Sequence, residues 1–142
     1  MKNADYTDIL KLSPDELRKR AWKKGWPMCV FGLLVYGILR LFRCKPKDFH
    51  GIPHFEIGKY WGGVTFGWFF ICGSCVHIDT KKHEVGHIIQ NAKVGGFQMV
   101  IYTIGSAFRF WTHMIFGSKV AYDAWWFEGQ ATKLGSKYIG KR

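Results

Sequence analysis

The hydrophobic and polar positions fall into blocks of unlike period. Residues 1–12 are polar with scattered apolar side chains and read as an arm. Ser13-Pro14-Asp15-Glu16 then carries a helix start: a serine to accept from an unpaired N–H, a proline at the first helical position, and a glutamate placed to close a capping box. This basic helix carries Arg18, Lys19, Arg20, Lys23 and Lys24 and stops at Gly25. Residues 26–42 are apolar except for Arg40, with Pro27 placed to open a helix. The run sits at the lower limit for crossing a bilayer core of about 30 Å. Three placements fit it: a helix spanning or inserted in a membrane, an interfacial anchor, or a helix buried in the core or docked on another subunit.

Residues 43–53 read as a polar linker. Residues 54–61 and 64–72 predict two strands joined by Gly62-Gly63 as a hairpin, the second apolar on nearly both faces. Residues 79–91, D-T-K-K-H-E-V-G-H-I-I-Q-N, predict a helix capped by Asp79 or Thr80 and ended by Gly95-Gly96. Residues 97–108 are apolar but too short to span alone, which leaves a core helix or a shallow membrane-embedded one. Residues 109–118 are mixed and aromatic, and residues 122–138 predict a last helix opened by Asp123. The expected fold is α+β and mostly helical. An H-E-x-x-H helix and a C-terminal helix bearing Glu128 pack near a β-hairpin, with an apolar N-terminal helix beside them. The expected division is residues 1–53, holding the basic helix, the apolar helix and a linker, and residues 54–142.

Charge narrows the partners. A net charge of +11 calls for an anionic one. A membrane surface accounts for a basic helix followed at once by an apolar one, whereas no recognised nucleic-acid motif accompanies the basic residues. The first twenty-five residues are polar and charged, so no cleavable signal peptide is expected; the expected location is membrane-associated, otherwise cytoplasmic. Cys72-Gly73-Ser74-Cys75 lacks the second C-x-x-C of a zinc ribbon, and Cys29 and Cys44 lie at opposite ends of the apolar helix, too far apart to pair. His50 and His54 read as solvated loop residues.

The candidate chemistry lies in His83-Glu84-Val85-Gly86-His87. On a helix, positions i and i+4 share a face, so both imidazoles can hold one metal ion, with Glu84 beside a water on that ion. Gly86 costs about 1 kcal/mol relative to alanine in mid-helix and makes sense if another element packs closely behind it. A zinc hydrolase needs a third protein ligand. Downstream of His87 the candidates are Asp123, Glu128 and His113; the close-spaced third histidine of H-E-x-x-H-x-x-G-x-x-H is absent, with Gln90 and Lys93 in its glycine and histidine positions. Ala131, one turn beyond Glu128, would let the two helices approach.

These residues resemble the gluzincins, zinc metallopeptidases with H-E-x-x-H and a later glutamate. The likeness is greatest to a group of small, bacterial, membrane-associated members with H-E-x-G-H-x-x-Q, a preceding Gly-rich aromatic strand, and E-x-x-A-[DN]-x-L-G. The matching residues are His83, Glu84, Gly86, His87 and Gln90, then Glu128, Ala131, Leu134 and Gly135. The likeness covers about residues 60–135. It implies a zinc cofactor held by His83, His87 and Glu128, Glu84 as general base, a peptide or protein substrate, and a metallopeptidase-like region over 54–142. One departure is Thr132, where gluzincins often carry an aspartate that orients a metal-bound histidine; either Asp123 or a backbone carbonyl replaces it, or the site binds metal less tightly. Tyr102, Arg109, His113 and Tyr122 are candidate oxyanion donors. The alternative reading is a non-enzymatic structural or interaction subunit of a membrane or multi-protein assembly that retains a metal-binding motif.

Overall fold

The helix starts and stops written into the sequence set the frame. In the computed structural model, which describes residues 5–116 and 126–140, the order is α1 (Thr7–Leu10), α2 (Pro14–Lys24), α3 (Trp26–Leu41), β1 (Lys47–Phe49), β2 (Ile52–Glu56), β3 (Gly63–Thr65), β4 (Phe70–Cys72), α4 (Ile78–Lys93), α5 (Gly96–Phe116) and α6 (Trp126–Gly140). The protein is α+β and mostly helical, as expected. The Ser13 hydroxyl accepts from the Glu16 N–H while the Glu16 carboxylate accepts from the Ser13 N–H at 3.1 Å, closing the capping box. Helix α4 is capped two residues earlier than Asp79, the nearer of the expected caps. His77 Nδ1, rather than Asp79 or Thr80, accepts from the backbone N–H of Asp79 at 3.1 Å. At the other end Gly95 and Gly96, with φ of 60° and 61°, release the chain from α4 into α5. Residues 97–116 form one continuous helix rather than an apolar and a mixed piece.

The sheet departs from the expected hairpin. Its order is β1-β2-β4-β3, with β1–β2 and β3–β4 antiparallel and β2–β4 parallel. Residues 54–61 and 64–72 therefore do not form two hairpin arms. Gly67, at φ 80°, folds the second stretch on itself, and the Phe66 N–H donates to the Phe69 carbonyl at 2.8 Å. Gly58, at φ 68°, turns the chain after β2. Those two turns let β4 enter between β2 and β3, registering His54 with Phe70 and Glu56 with Cys72.

Three other expectations are corrected by packing. The supposed arm is docked, because Tyr6, Ile9 and Leu10 are buried. The supposed linker contains β1 and the start of β2. His54 is buried in β2, stacked on Phe70, and its Nε2 lies 3.4 Å from Glu56 Oε1; burial lowers its pKa. His50 is exposed.

Strand alternation splits the apolar side chains between two layers. Ile52, Phe70 and Cys72 face one core with Leu17 and Ala21 of α2, Val85 and Ile88 of α4, and Tyr138 of α6. Phe55, Phe69 and Ile71 face the other, against Val35, Tyr36 and Leu39 of α3. The expected boundary at 53/54 falls inside β2, and residues from both sides of it share the first core. Helix α3 meets the β3–β4 turn at close range: a Cβ on Gly32 would stand 2.4 Å from the Phe66 carbonyl oxygen. Among the described residues no single helix is long and apolar enough to cross a membrane.

Candidate metal centre

The centre lies where α4 crosses α6, and two glycines allow that crossing. A Cβ on Gly86 would stand 1.9 Å from the Ala131 carbonyl oxygen, and one on Gly135 would stand 1.6 Å from that of Lys82. Backbone meets backbone at both points, so the expected role of Gly86, and of Ala131 opposite it, is met. The approach brings Glu128, fully buried, up to the two histidines.

His83 Nε2 lies 2.8 Å from Glu128 Oε2, His87 Nε2 lies 3.0 Å from the same oxygen, and the two Nε2 atoms are 3.2 Å apart. The far nitrogen of each ring is also engaged. His87 Nδ1 lies 2.8 Å from Gln90 Oε1, an oxygen that only accepts, so Nδ1 carries a proton and Nε2 is the nitrogen left to present a lone pair when the ring is neutral. His83 Nδ1 lies 2.8 Å from the Thr132 hydroxyl, which itself donates to the Glu128 carbonyl at 3.3 Å. The same tautomer follows for His83. Two imidazole nitrogens and a carboxylate oxygen thus converge on one point inside the protein, an arrangement that calls for positive charge among them, either a proton on an imidazole paired with Glu128 or a metal ion.

The donor set fits a metal ion. Ligands bound at about 2.0–2.1 Å in a tetrahedron stand about 3.3 Å apart, close to the separations found here. Glu128 Oε1 is buried and accepts no hydrogen bond among the described residues, which leaves a second carboxylate lone pair for a cation. His83, His87 and Glu128 form the one group of three metal-ligating side chains found among the described residues. Electrostatics agree with a cation-seeking site. Burial disfavours the His87 imidazolium, but Glu128, through its hydrogen bond and its charge, and Glu84 outweigh it and raise the pKa. Burial likewise opposes ionisation of Glu128, yet His83 and His87 hold its pKa well below the ordinary carboxylate range.

Glu84 sits in the next layer. Thr65 of β3 donates to Glu84 Oε2 at 2.6 Å and lies 2.9 Å from the Glu84 backbone carbonyl. Gly63, two residues earlier, leaves room over the carboxylate: a Cβ there would come within 3.1 Å of Oε1. Helix and sheet edge together fix this carboxylate, whose charge acts on His87.

Of the residues singled out from sequence, His83, Glu84, His87 and Glu128 come together. Thr132 itself fills the place expected of an aspartate, so neither Asp123 nor a backbone carbonyl is needed to orient His83. Tyr122 and Asp123 lie outside the described residues, as do the side chains of Arg109 and His113. Tyr102 is half-buried on α5, packed with Met28 and Met99. Three contributors went unnoticed in the sequence. Thr65 holds Glu84; Gln130 accepts from the Gln90 side-chain amide at 2.9 Å; and the Tyr6 hydroxyl donates to the same Gln130 oxygen at 3.2 Å. Neither Gln130 nor Tyr6 belongs to a motif, and only the fold joins them to His87. Of the four cysteines, all free, Cys29 and Cys72 are buried, and burial pushes their thiols up to about 12 and about 11.

No protein-family model, no curated protein and no solved structure matches this chain.

Proposed function

We propose that the protein is a zinc-dependent peptide hydrolase of gluzincin type. The observation that carries this reading is the convergence of His83 Nε2, His87 Nε2 and Glu128 Oε2, each within 3.2 Å of the others, next to Glu84. His83, His87 and Glu128 would hold the ion. When bound, zinc supplies Lewis acidity, which brings the pKa of a water toward neutrality and polarises a carbonyl.

The remaining work falls to this chain's own groups. Gln90 and Thr132 hold Nδ1 of the two histidines, which would leave each Nε2 to take the ion. Thr65 donates to one oxygen of Glu84 and so orients the carboxylate. Glu84 takes the proton of the attacking water as the C–O bond forms, and returns a proton to the amine nitrogen as the C–N bond breaks. Strand β3 ends the sheet, and an extended peptide added along it would run beside Glu84.

The test is Glu84→Gln, which removes the base and keeps the shape. Zinc-loaded protein is assayed on a quenched-fluorescence peptide library. The wild type is expected to cleave in a zinc-dependent manner, and the variant to keep its zinc while turnover falls by about 10²–10⁴-fold. Undiminished cleavage by Glu84→Gln, or none by the zinc-replete wild type, would sink the reading.

A further inference from the structure

A second surface, independent of the metal centre, breaks the usual rule that large apolar patches are covered. On α3, Trp26, Val30, Leu33, Leu34, Ile38 and Leu41 are all exposed, at the spacing of one helix face. Gly37 lies on that face with open space above it. On α5, Phe97, Ile101, Ile104 and Phe108 repeat the pattern. The two stripes are one surface, because α3 packs on α5 and the Trp26 and Phe97 rings meet edge to face at 5.9 Å. The opposite face of α3 is committed: Met28, Cys29 and Gly32 are buried against the protein.

Charge surrounds this surface in one sign. No Asp or Glu occurs between Glu16 and Asp48, nor between Glu84 and Asp123. Exposed Lys23 and Lys24 stand at the Trp26 end of α3, and exposed Arg40, Arg43 and Lys45 at the other. The occupant must therefore accept a broad apolar face and offer negative charge at its rim. A second copy brings another +11, and its own α3–α5 face, acid-free between Glu16 and Asp48 and between Glu84 and Asp123, offers no carboxylate to meet these cations. An anionic bilayer supplies both requirements, acyl chains below and phosphates around.

We propose that α3 and α5 form a lipid-docking face on which the protein lies, their apolar stripes at the acyl boundary of an anionic membrane and the flanking lysines and arginines among its headgroups. The inner side of α3 rests on the β3–β4 turn, so the docked face is one packed layer from Thr65 and the Glu84 it holds.

Co-sedimentation of the full chain with vesicles tests this, using phosphatidylcholine alone and phosphatidylcholine mixed with phosphatidylglycerol. Affinity for the mixed vesicles should exceed that for the neutral ones by at least about tenfold and fall with added salt. The double variant Leu34→Glu/Ile101→Glu, at exposed positions, should lose at least about tenfold on mixed vesicles with an unchanged circular dichroism spectrum. A second readout spares the fold: brominated lipid should quench tryptophan fluorescence in the wild type, and less in Trp26→Phe. A wild type that ignores mixed vesicles, or a folded double variant that binds like the wild type, overturns the proposal. So does a dimer, or a complex with an acidic protein, that the double variant abolishes while vesicle binding is absent.

Discussion

Along α4 the inward face carries His83, Glu84, His87 and Gln90, whereas along α3 the outward face carries Val30, Leu34, Ile38 and Leu41. Both invert the ordinary distribution of polar and apolar side chains, in opposite directions. On α4 the inversion is answered from within the chain: Thr65, Gln90, Gln130 and Thr132 hydrogen-bond the buried groups or their partners. Burying such groups unanswered costs about 1–3 kcal/mol each, so the answered network specifies one arrangement. On α3 nothing among the described residues covers the apolar face. On the proposed reading, the first inversion is completed by something small enough to sit among three ligand atoms, the second by something broad. An ion and a surface are different kinds of partner, and different substitutions should separate them.

The largest expected effect on folding is at the α4–α6 crossing. Gly86→Ala places a methyl against the Ala131 carbonyl. Because both sides are backbone, neither can give without parting the helices, and thermal unfolding should register a loss of about 3 kcal/mol. A variant as stable as the wild type would mean the helices are not in that contact. Next comes the polar support. Thr132→Val keeps the shape and removes the hydroxyl at His83 Nδ1; zinc affinity, read by competition with a chromophoric chelator, should fall by about 10–100-fold, and Thr132→Ser should restore it. Equal affinity in all three proteins would remove Thr132 from the account. The smallest effect has the opposite sign. Gly37→Ala on the open face of α3 meets nothing within 4 Å, and alanine suits a helix better, so stability should rise by about 1 kcal/mol. A loss there would mean that the face is packed.

Much of this was legible before any coordinates. The Ser13 capping box, the Gly25 stop and the Gly95-Gly96 release are local signals, and each marks a helix end where it was read. The spacing of His83 and His87 and the later Glu128, read through the gluzincin likeness, pointed to three side chains that the fold brings together. What sequence missed is non-local. The parallel β2–β4 pair joins strands with β3 between them in the chain, so adjacent runs were read as a hairpin. His54, just past the stretch read as a polar linker, looks solvated and is buried where Phe70 stacks on it from another strand. Tyr6 and Thr65 reach the centre from segments with no motif, brought there by packing alone.

The most direct measurement is the zinc content of the purified protein after dialysis against zinc and then against metal-free buffer, for the wild type and for Glu128→Ala. The account predicts about one zinc per chain in the wild type and a sharp loss in the variant, because removing the buried carboxylate leaves two imidazoles to hold the ion. A wild type without zinc, or a variant that retains it in full, would contradict the assignment of His83, His87 and Glu128 as a metal centre.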